Sequence, residues 1–368
     1  MNLGNLLNGP ADKVALVDLS DAGRSYTYEE LATAIQEQEI DVEPGAQIGL
    51  LGANSAAFVV TFSTIMARGG VAVPINTKFP ADTVHHVVKD AELKRVWIDE
   101  DLRDKLPEGI SVDILRLKRA ESHTAIEPER DQAGLVLYTS GSTGRPKGVL
   151  LSHDSQWAMA SRMTAAMQGA TGIVAAPLYH MNGLLFLWSL LAGGGTVVLM
   201  PKFDARVYLQ AIHDHRVNIL TGVPTMLSLM LKERDLLESL DLNSVMGVSV
   251  GSAPLSETLV EQVKTVFPNA RVTNGYGTTE AGAGMFGGHP DGIPVPSLSL
   301  GYPQPHVEIR LVGGQDEGVL EVKTPAAMSG YLNLPEKTDE KISADGWINT
   351  GDLMRRDEQG FFYFVGRD

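Results

Sequence analysis

The sequence predicts an α/β protein with two α/β subdomains on mostly parallel sheets and a small C-terminal β-barrel. Three observations support this fold class. Short apolar segments alternate with helix-period segments from Gln47 onward, the alternation recurs in a second block, and short strands with glycine-containing turns follow Pro294. Alternating strands and helices form βαβ units, whereas short strands joined by tight turns form hairpins. We therefore expect regions at 1–170, 171–294 and 295–368, which can be discontinuous in the fold.

The first block contains four apolar segments with the length and composition of buried strands. They are QIGLLGA (47–53), VAVPIN (71–76), RVWID (95–99) and GLVLYT (134–139). Segments with helical patterns at 55–69 and 81–92 lie between the first three of them. Apolar spacing near 3.6 residues is typical of a packed helix, so this block predicts β-α-β connections.

The second block repeats the pattern with five further strands. These are GIVAAP (172–177), TVVLM (196–200), VNILTGV (217–223), VMGVSVG (245–251) and RVTNGYG (271–277). One helix begins after Asp204 as N-cap and another after Ser256. The first of these helices is expected to bury one face, made of Val207, Tyr208, Ala211 and Ile212. Residues 183–200 carry no charge, but the three glycines at 193–195 predict a buried helix, a turn and a buried strand rather than a membrane span.

The last region has the short strand-like segments and turn-like loops of a β-rich unit. Strand-like segments occupy 306–312, 318–324 and 360–366, and the loops GGQDEG (313–318) and RDEQG (356–360) predict hairpins. The chain stops at Asp368, directly after a strand. The expectation is therefore a truncated chain that lacks a closing element.

Composition restricts the function more than the fold. Apolar residues make up 43% and charged residues 20%, as in a globular chain with a sizeable core. The net charge of −15 argues against nucleic acid or an anionic membrane as partner, because both favour a basic face. The absence of cysteine excludes thiolate catalysis and thiolate metal sites within this chain. A cytoplasmic location is expected, and nothing in the sequence assigns an oligomeric state.

The stretch YTSGSTGRPKGV (138–149) is predicted to be a loop, neither helix nor strand, that follows a strand and binds phosphate. Its glycines permit close backbone approach, its hydroxyls and backbone N–H groups suit an anion, and Lys147 adds a positive charge. It is not a Walker A loop, because Pro146 precedes the lysine and Gly148 follows it. It is not a G-x-S-x-G nucleophile elbow either. A solvated glycine-serine loop without function is the competing interpretation.

Other polar groups also follow predicted strands, where open α/β sheets bind ligands. In NGYGTTE (274–280), Tyr276 could stack on a base and Glu280 could hold Mg²⁺ on a polyphosphate. His180 follows a third strand, and Asp352 and Arg367 add a carboxylate and a guanidinium near the C-terminus. Each has a purely structural interpretation, and only their common placement favours a function.

Four of these motifs together resemble the adenylate-forming superfamily of acyl-CoA synthetases, peptide-synthetase adenylation domains and luciferases. They are YTSGSTGRPKGV, NGYGTTE, DGWINTGD and FFYFVGR, in this order along most of the chain. The resemblance implies an acyl-CoA synthetase-like N-terminal domain. It also implies a mobile C-terminal domain, with a lysine that assists adenylation, which this chain would lack. A chain without that domain is expected to bind ATP but to turn over poorly.

The resemblance also assigns roles to residues. The ATP phosphates would contact Thr139, Ser140, Gly141, Ser142, Thr143, Gly144 and Lys147. Adenine and ribose would contact Gly251, Ser252, Ala253, Asn274, Gly275, Tyr276, Gly277, Thr278, Asp352 and Arg367. Thr279 would contact the α-phosphate, and Glu280 and Thr143 would ligate Mg²⁺. Lys147, Thr279, Glu280 and His180 would be catalytic. Ser252 departs from the glycine that many acyl-CoA synthetases have at this position.

The implied reaction joins a carboxylic acid to ATP, giving an acyl-adenylate and pyrophosphate, and then to the thiol of coenzyme A. The acyl pocket would be lined by His180, Met181, Val223, Thr225, Gly251, Gly282, Ala283 and Gly284. The small residues at 281–284 would leave room for an elongated tail, or would serve helix packing only. No charged residue stands out as a partner for an amino group or a second carboxylate, so a fatty or aryl acid is expected.

Other functions share the same ATP motifs. An adenylation domain could load a carrier protein instead of coenzyme A, although no pocket aspartate for an amino group is identifiable. A luciferase-like oxygenase is a weaker alternative. A nucleotide sensor without turnover is a third, and the presence of Lys147, Thr279 and Glu280 argues against it.

Overall fold

The computed structural model describes residues 1–139 and 144–368 of the chain. The predicted phosphate contacts Ser140, Gly141, Ser142 and Thr143 lie outside the described residues.

The strands of the first half are β1 Val14–Asp18, β2 Arg24–Thr27, β3 Gln47–Leu51, β4 Val71–Pro74, β5 Arg95–Ile98, β6 Ser111–Ile114, β7 Ala133–Thr139, β8 Lys147–Ser152, β9 Thr171–Val174 and β10 Thr196–Leu199. Those of the second half are β11 Ile219–Gly222, β12 Gly247–Gly251, β13 Arg271–Gly275, β14 Gly277–Thr278, β15 Gly282–Ala283, β16 Phe286–Gly287, β17 Tyr302–Pro303, β18 Glu308–Val312, β19 Glu317–Lys323, β20 Gly330–Tyr331, β21 Ile348–Arg356 and β22 Phe362–Arg367. The α-helices are α1 Tyr28–Glu37, α2 Ala56–Ala67, α3 Ala81–Asp90, α4 His153–Ala160, α5 Thr164–Met167, α6 Met181–Ala192, α7 Ala205–Asp214, α8 Pro224–Met230, α9 Arg234–Ser239, α10 Glu257–Val266 and α11 Pro335–Lys341. Short 3₁₀ helices occupy Leu3–Asn5 and Glu100–Lys105.

The fold class is the predicted one, and the chain divides into two compact units. The first contains Met1–Ala170, Val174–Lys202 and Met328–Pro335, and the second contains Thr171–Ile173, Phe203–Ala327 and Glu336–Asp368. Both units are discontinuous, because the chain leaves each of them and returns. The three-region division at residues 170 and 294 stays a prediction.

The first unit is organised around a seven-stranded sheet in the order β20-β8-β7-β4-β3-β5-β6. Strands β4, β3, β5 and β6 run parallel, as the alternating pattern predicts. Strands β7 and β8 form an antiparallel pair, so the two ends of the 138–149 stretch are strands. The predicted strand at 134–139 is confirmed as β7, but the expectation that the rest of the stretch contains no strand was wrong at its C-terminal end, where β8 begins at Lys147. Glycine, proline and lysine at 146–148 gave no strand pattern there, and the ladder of backbone hydrogen bonds with β7 defines the strand.

Helices α2 and α6 pack into the core of the first unit because they are apolar on all sides. All but one residue of α2 are buried, and Ser55 caps its N-terminus by accepting a hydrogen bond from the Phe58 amide. Helix α6 is buried over most of its length and is followed by the glycine turn and β10, which confirms the prediction for 183–200. Within the described residues, no helix combines the length and apolarity needed to cross a membrane.

The second unit contains parallel strands in the order β13-β12-β11-β9. Asp204 and Ser256 cap α7 and α10 as predicted. The predicted buried face of α7 is correct for Tyr208, Ala211 and Ile212, but Val207 is 49% exposed and belongs to the outer surface. Helical periodicity places Val207 at the edge of the apolar stripe, and the packing partners decide which edge is covered.

The predicted C-terminal β-barrel takes the form of a four-stranded antiparallel sheet in the order β18-β19-β21-β22. Both predicted hairpins are confirmed, with β18 paired to β19 and β21 paired to β22. Apolar side chains on one face form a cluster that includes Leu320, Val322, Ile348 and Met354. This packing fixes β21 and β22, which carry two of the candidate site residues.

The N-terminal segment is held to the first unit by buried polar groups. The Asn2 side chain donates to the carbonyls of Met66 and Ile126, at 3.1 and 2.7 Å. The Leu3 amide donates to Nδ1 of His153 at 3.1 Å, and His153 is 1% exposed. Since Nδ1 accepts, the imidazole is neutral and carries its proton on Nε2. Burial and, to a smaller extent, the N-terminal ammonium lower the pKa of His153 to about 4, with Asp154 opposing them.

We expect acid to destabilise the protein through His153. Its folded pKa is about 4, below the unfolded value of about 6.5, so the unfolded chain binds more protons between them. The contribution of neutral His153 to the free energy of unfolding is complete above pH ~6.5 and is lost as pH falls towards 4. Its upper limit is about 3 kcal/mol. Urea unfolding at several pH values measures it. His153→Asn retains an acceptor near Nδ1 but cannot titrate, so its stability should fall less steeply on acidification. Equal dependence of the unfolding free energy on pH in the wild type and the variant would contradict the role of His153.

Candidate active site

The strand ends β12 and β13 bring two of the predicted motifs together in the second unit. The strands are parallel and in register, with Gly251 opposite Gly275. A Cβ on Gly251 would lie 3.0 Å from the Gly275 carbonyl oxygen, so the close approach of the two backbones favours glycine. Asn274 does not point freely into solvent, because its amide donates to the Leu298 carbonyl at 2.8 Å. This edge of the sheet is the expected position for a ligand in an open parallel sheet.

Ser252 has a left-handed backbone conformation directly after β12, with φ of 64°. This region is costly for residues with a Cβ and is readily adopted by glycine, so the backbone conformation at position 252 favours glycine. Ser252 and Ala253 are exposed at the end of the strand. The strained turn therefore lies at the predicted ligand edge, where such conformations are common.

Tyr276 lies between the strand end and the C-terminal sheet of the second unit. Its ring packs edge-on against Phe286, with centroids 5.9 Å apart. Its hydroxyl donates to Oδ2 of Asp352 at 2.6 Å. Desolvation raises the pKa of Tyr276 far above its usual value, and the Asp352 charge raises it further, so the hydroxyl remains a donor. The ring therefore packs, as the structural interpretation expected, and it also orients a carboxylate.

Asp352 is a buried carboxylate, only 1% exposed, on β21. Its own amide donates to the Thr350 hydroxyl at 3.1 Å, and that hydroxyl donates to the Leu320 carbonyl at 2.8 Å. Oδ1 lies 2.8 Å from Nε of Arg367, whose side chain is 73% exposed. This ion pair lacks hydrogen-bond geometry, and among the described residues Oδ1 accepts no hydrogen bond. Oδ1 therefore retains lone pairs for an external donor such as a hydroxyl.

The residues after Tyr276 form short β ladders rather than a helix. Gly277 and Thr278 on β14 pair with Ala283 and Gly282 on β15, so the idea that small residues serve helix packing was wrong. Gly282 and Gly284 both have φ of 76°, a backbone reason for glycine. Thr279 and Glu280 lie in the connection between β14 and β15, and both are half-buried.

Mg²⁺ is implied by the motif resemblance, and the donor set is compatible with it. Glu280 supplies one carboxylate, and the described residues hold no group of three or more metal-ligating side chains. Mg²⁺ on a nucleotide commonly takes one or two carboxylates and keeps phosphate oxygens and waters as its other ligands. A single carboxylate therefore fits a metal that arrives with a polyphosphate.

The first unit holds the described ends of the predicted phosphate loop. Thr139 ends β7 and pairs with Lys147 at the start of β8, so these two residues face each other across an antiparallel pair of strands. Gly144 has φ of 99°, which explains the glycine there. Lys147 is half-buried, and its Nζ lies 4.5 Å from the centroid of the Tyr331 ring.

His180 and Met181 lie at the N-terminus of α6 in the first unit. His180 is the N-cap residue, but its side chain caps no helix amide, and its ring packs edge-on against Tyr179 at 4.7 Å. The residue is exposed, yet desolvation lowers its pKa, and the positive charge of Lys78 lowers it further. Met181 is buried.

The second unit thus brings together a set defined here as the nucleoside group: Gly251, Ser252, Tyr276, Asp352 and Arg367. The predicted pocket residues Val223 and Thr225 belong to the same unit, at the start of α8, half-buried and exposed respectively. The phosphate-loop ends, His180 and Met181 belong to the first unit. The roles of all these residues stay predictions.

Sequence reasoning missed two residues of this arrangement. Thr350 orients Asp352, and its signal was present in the NTGD motif, two residues before the carboxylate. Tyr331 contacts Lys147 from a segment 184 residues further along the chain. No short-range pattern could have identified that contact.

This geometry defines a class: an α/β protein with a buried carboxylate, a tyrosine and an arginine assembled beside the carboxyl ends of a parallel sheet. The sequence profile of the AMP-binding enzyme family matches residues 6–332. A match over most of the chain shows membership, so the chain belongs to the AMP-binding enzyme family. The expected superfamily is confirmed, and the similar proteins include ones named as CoA ligases or CoA synthases.

Three similar proteins illustrate the relationship. Feruloyl-CoA synthase of an Amycolatopsis species is 30% identical over 368 residues, covering 94% of this chain and 74% of the relative. The fatty acid–[acyl-carrier-protein] ligase ScoC of Streptomyces coeruleorubidus is 29% identical over 381 residues, covering 94% and 73%. The crystal structure of ATP-bound MatB from Rhodopseudomonas palustris superposes with a TM-score of 0.85 at 27% identity, covering 100% of this chain and 79% of that one.

Replacing Ser252 by glycine should stabilise the protein slightly. The left-handed conformation costs a residue with a Cβ about 1–2 kcal/mol. Glycine avoids this cost but loses more conformational entropy on folding, which destabilises the folded state by about 0.5–1 kcal/mol. We expect a net gain of about 0.5 kcal/mol in the free energy of unfolding, measured by urea titration. Ser252→Ala keeps the Cβ and serves as the matched control, with no gain. A loss of stability in Ser252→Gly would refute the strain argument.

Removing the Tyr276 hydroxyl should destabilise the second unit. Tyr276→Phe retains the ring contact with Phe286 but leaves Oδ2 of buried Asp352 without its 2.6 Å donor. Hydrogen bonds to charged groups contribute about 1.5–3 kcal/mol, so a loss of about 2 kcal/mol is expected in urea unfolding. Tyr363→Phe removes another hydroxyl–carboxylate bond, to Asp357, at a more exposed position and should cost less. An equal or smaller loss at Tyr276 would contradict the role of burial.

Proposed function

We propose that this chain activates a fatty or aryl carboxylic acid with MgATP to an acyl-adenylate and transfers the acyl group to coenzyme A. The observation that carries this proposal is the nucleoside group around Asp352. Its buried Oδ1 retains acceptor capacity beside an exposed guanidinium, and this suits a ribose hydroxyl. Membership of the AMP-binding family and the likeness to an ATP-bound relative support a nucleotide as the ligand.

The proposed roles divide between binding and charge neutralisation. Tyr276 and the glycine edge at Gly251 would contact adenine, and Asp352 with Arg367 would bind the ribose. Lys147 and Thr279 would contact the phosphates. Glu280 would hold Mg²⁺, which when bound neutralises phosphate charge. Ser140 to Thr143 stay predicted phosphate contacts, and Thr143 a predicted Mg²⁺ ligand.

The chemistry needs no nucleophile from the protein. A substrate carboxylate is already anionic, and its oxygen forms a bond to the α-phosphorus as the bond to the pyrophosphate oxygen breaks. Such a reaction depends on positioning and on stabilising the departing charge. The thiol of coenzyme A then attacks the acyl carbon and AMP leaves. This is compatible with a chain without cysteine, because the reacting sulfur belongs to the second substrate.

The acid class rests on the pocket residues and the relatives. The predicted pocket contains His180, Met181, Val223, Thr225 and the small residues of β15. No charged residue stands out among them as a partner for a second carboxylate, which favours a monocarboxylic acid. One relative is named a feruloyl-CoA synthase and another a fatty acid ligase, in agreement with an aryl or fatty substrate.

A second candidate differs only in the acceptor. The ScoC relative is named as a ligase for acyl carrier protein. The acyl group would then pass to a carrier-protein thiol instead of coenzyme A. Thioester formation after adenylation, compared between coenzyme A and a phosphopantetheinylated carrier protein, distinguishes the two acceptors.

The test is ATP–pyrophosphate exchange across fatty, aryl, amino and dicarboxylic acids. We expect exchange to be stimulated by fatty or aryl acids and to fall by roughly 10²–10³-fold in Lys147→Ala, because the phosphate charge loses a preorganised cation. Lys264→Ala removes an exposed lysine of α10 and serves as the charge-matched control. No exchange with any acid, together with tight MgATP binding, would indicate a nucleotide sensor instead. Stimulation by amino acids alone would indicate a peptide-synthetase type of adenylation.

A further inference from the structure

The ammonium of Lys147 lies on an aromatic face in the first unit. Its Nζ is 4.5 Å from the centroid of the Tyr331 ring. A cation over a tyrosine face is attracted by the ring quadrupole, and the attraction grows when the pair is shielded from water. Tyr331 is only 6% exposed and Lys147 is half-buried, so this pair is partly shielded.

The ring is held in place by a short strand. Tyr331 lies on β20, which pairs antiparallel with β8 immediately after Lys147. The Ser329 amide donates to the Leu150 carbonyl at 2.9 Å, and the Leu332 amide donates to the Gly148 carbonyl at 2.8 Å. These two hydrogen bonds, one on each side of Tyr331, fix its backbone against the strand that begins with the lysine.

Glycine at position 148 allows this close packing. A Cβ there would approach Val136, Tyr138 and Leu332 at 3.0–3.2 Å. A larger residue would push β20 away from β8. The glycine that follows the lysine at the motif's end therefore has a packing reason in addition to any role in ligand binding.

Helix α3 braces the backbone on the other side of the lysine. Nε2 of His86 forms a hydrogen bond with the Pro146 carbonyl at 3.1 Å. Asp90 accepts from the Tyr138 hydroxyl at 2.7 Å, and its carbonyl accepts from the Asn333 side chain at 2.7 Å. The backbone on both sides of Lys147 is thus fixed, and the freedom that remains belongs to the lysine side chain.

We propose that Tyr331 is a positioning residue for Lys147, holding its ammonium on the ring face so that a polyphosphate meets a preordered cation. The proposal rests on the proposed function, in which Lys147 contacts the phosphates of ATP. A lysine side chain has about 2 kcal/mol of rotamer entropy, and restricting it before the ligand arrives lowers the entropic cost of binding. Tyr331 itself touches no substrate and is not a catalytic residue.

The test compares Tyr331→Leu with Tyr331→Phe. The phenylalanine keeps the aromatic face and the leucine removes it. We expect Tyr331→Leu to weaken binding of MgATP and of magnesium pyrophosphate by roughly 3- to 20-fold in isothermal titration calorimetry, and Tyr331→Phe by about twofold or less. The KM for ATP should rise while the KM for the carboxylic acid stays unchanged.

A double-mutant cycle with Lys147→Ala separates positioning from simple loss of structure. In the Lys147→Ala background, Tyr331→Leu should cause no further loss of MgATP affinity, because the group that the ring holds is gone. An equal loss in both backgrounds, or equal losses for leucine and phenylalanine, would overturn the positioning role and leave the proposed function intact. Wild-type affinity in Lys147→Ala, or a wild-type protein that binds neither ligand, would overturn the proposed function and this inference with it.

Discussion

The burial of the Asp352 carboxylate constrains much of the second unit. An ionised carboxylate removed from water costs several kcal/mol unless hydrogen bonds and an opposite charge compensate. Compensation for the carboxylate comes from the Tyr276 hydroxyl after β13 and the Arg367 guanidinium at the end of β22, while the Thr350 hydroxyl on β21 accepts from the Asp352 backbone amide. These residues belong to three separate segments. Satisfying one charge therefore fixes the parallel strands' ends relative to the antiparallel sheet within that unit.

The first unit holds the backbone around Lys147 by strand pairing and by contacts from a helix. Lys147 stands at the start of β8 on a frame built from backbone hydrogen bonds between β8 and β20 and from side chains of α3. Backbone order of this kind costs conformational entropy once, during folding. The lysine side chain remains the adjustable part, and the aromatic ring limits how far it moves.

Sequence reasoning succeeded where the signal was local. The caps Asp204 and Ser256, the glycine turn after α6 and the two C-terminal hairpins depend on neighbouring residues, and all were predicted. It overlooked α1, although Thr27 and Glu30 form a capping box at its start. The outward side of Val207 and the antiparallel pairing of β7 with β8 depend on which elements pack alongside, so periodicity alone could not supply them.

The sequence by itself determined the fold class, the family and the positions of the predicted ligand-binding motifs, because strand-helix alternation and glycine-rich turns are encoded in consecutive residues. Only the tertiary structure decided which motif residues meet. Tyr276 and Asp352 are 76 positions apart, and their 2.6 Å hydrogen bond exists because two sheets place them side by side. The contact between Tyr331 and Lys147 also joins residues far apart in the sequence. Such contacts arise from strand pairing and leave no pattern in the residues between the two segments.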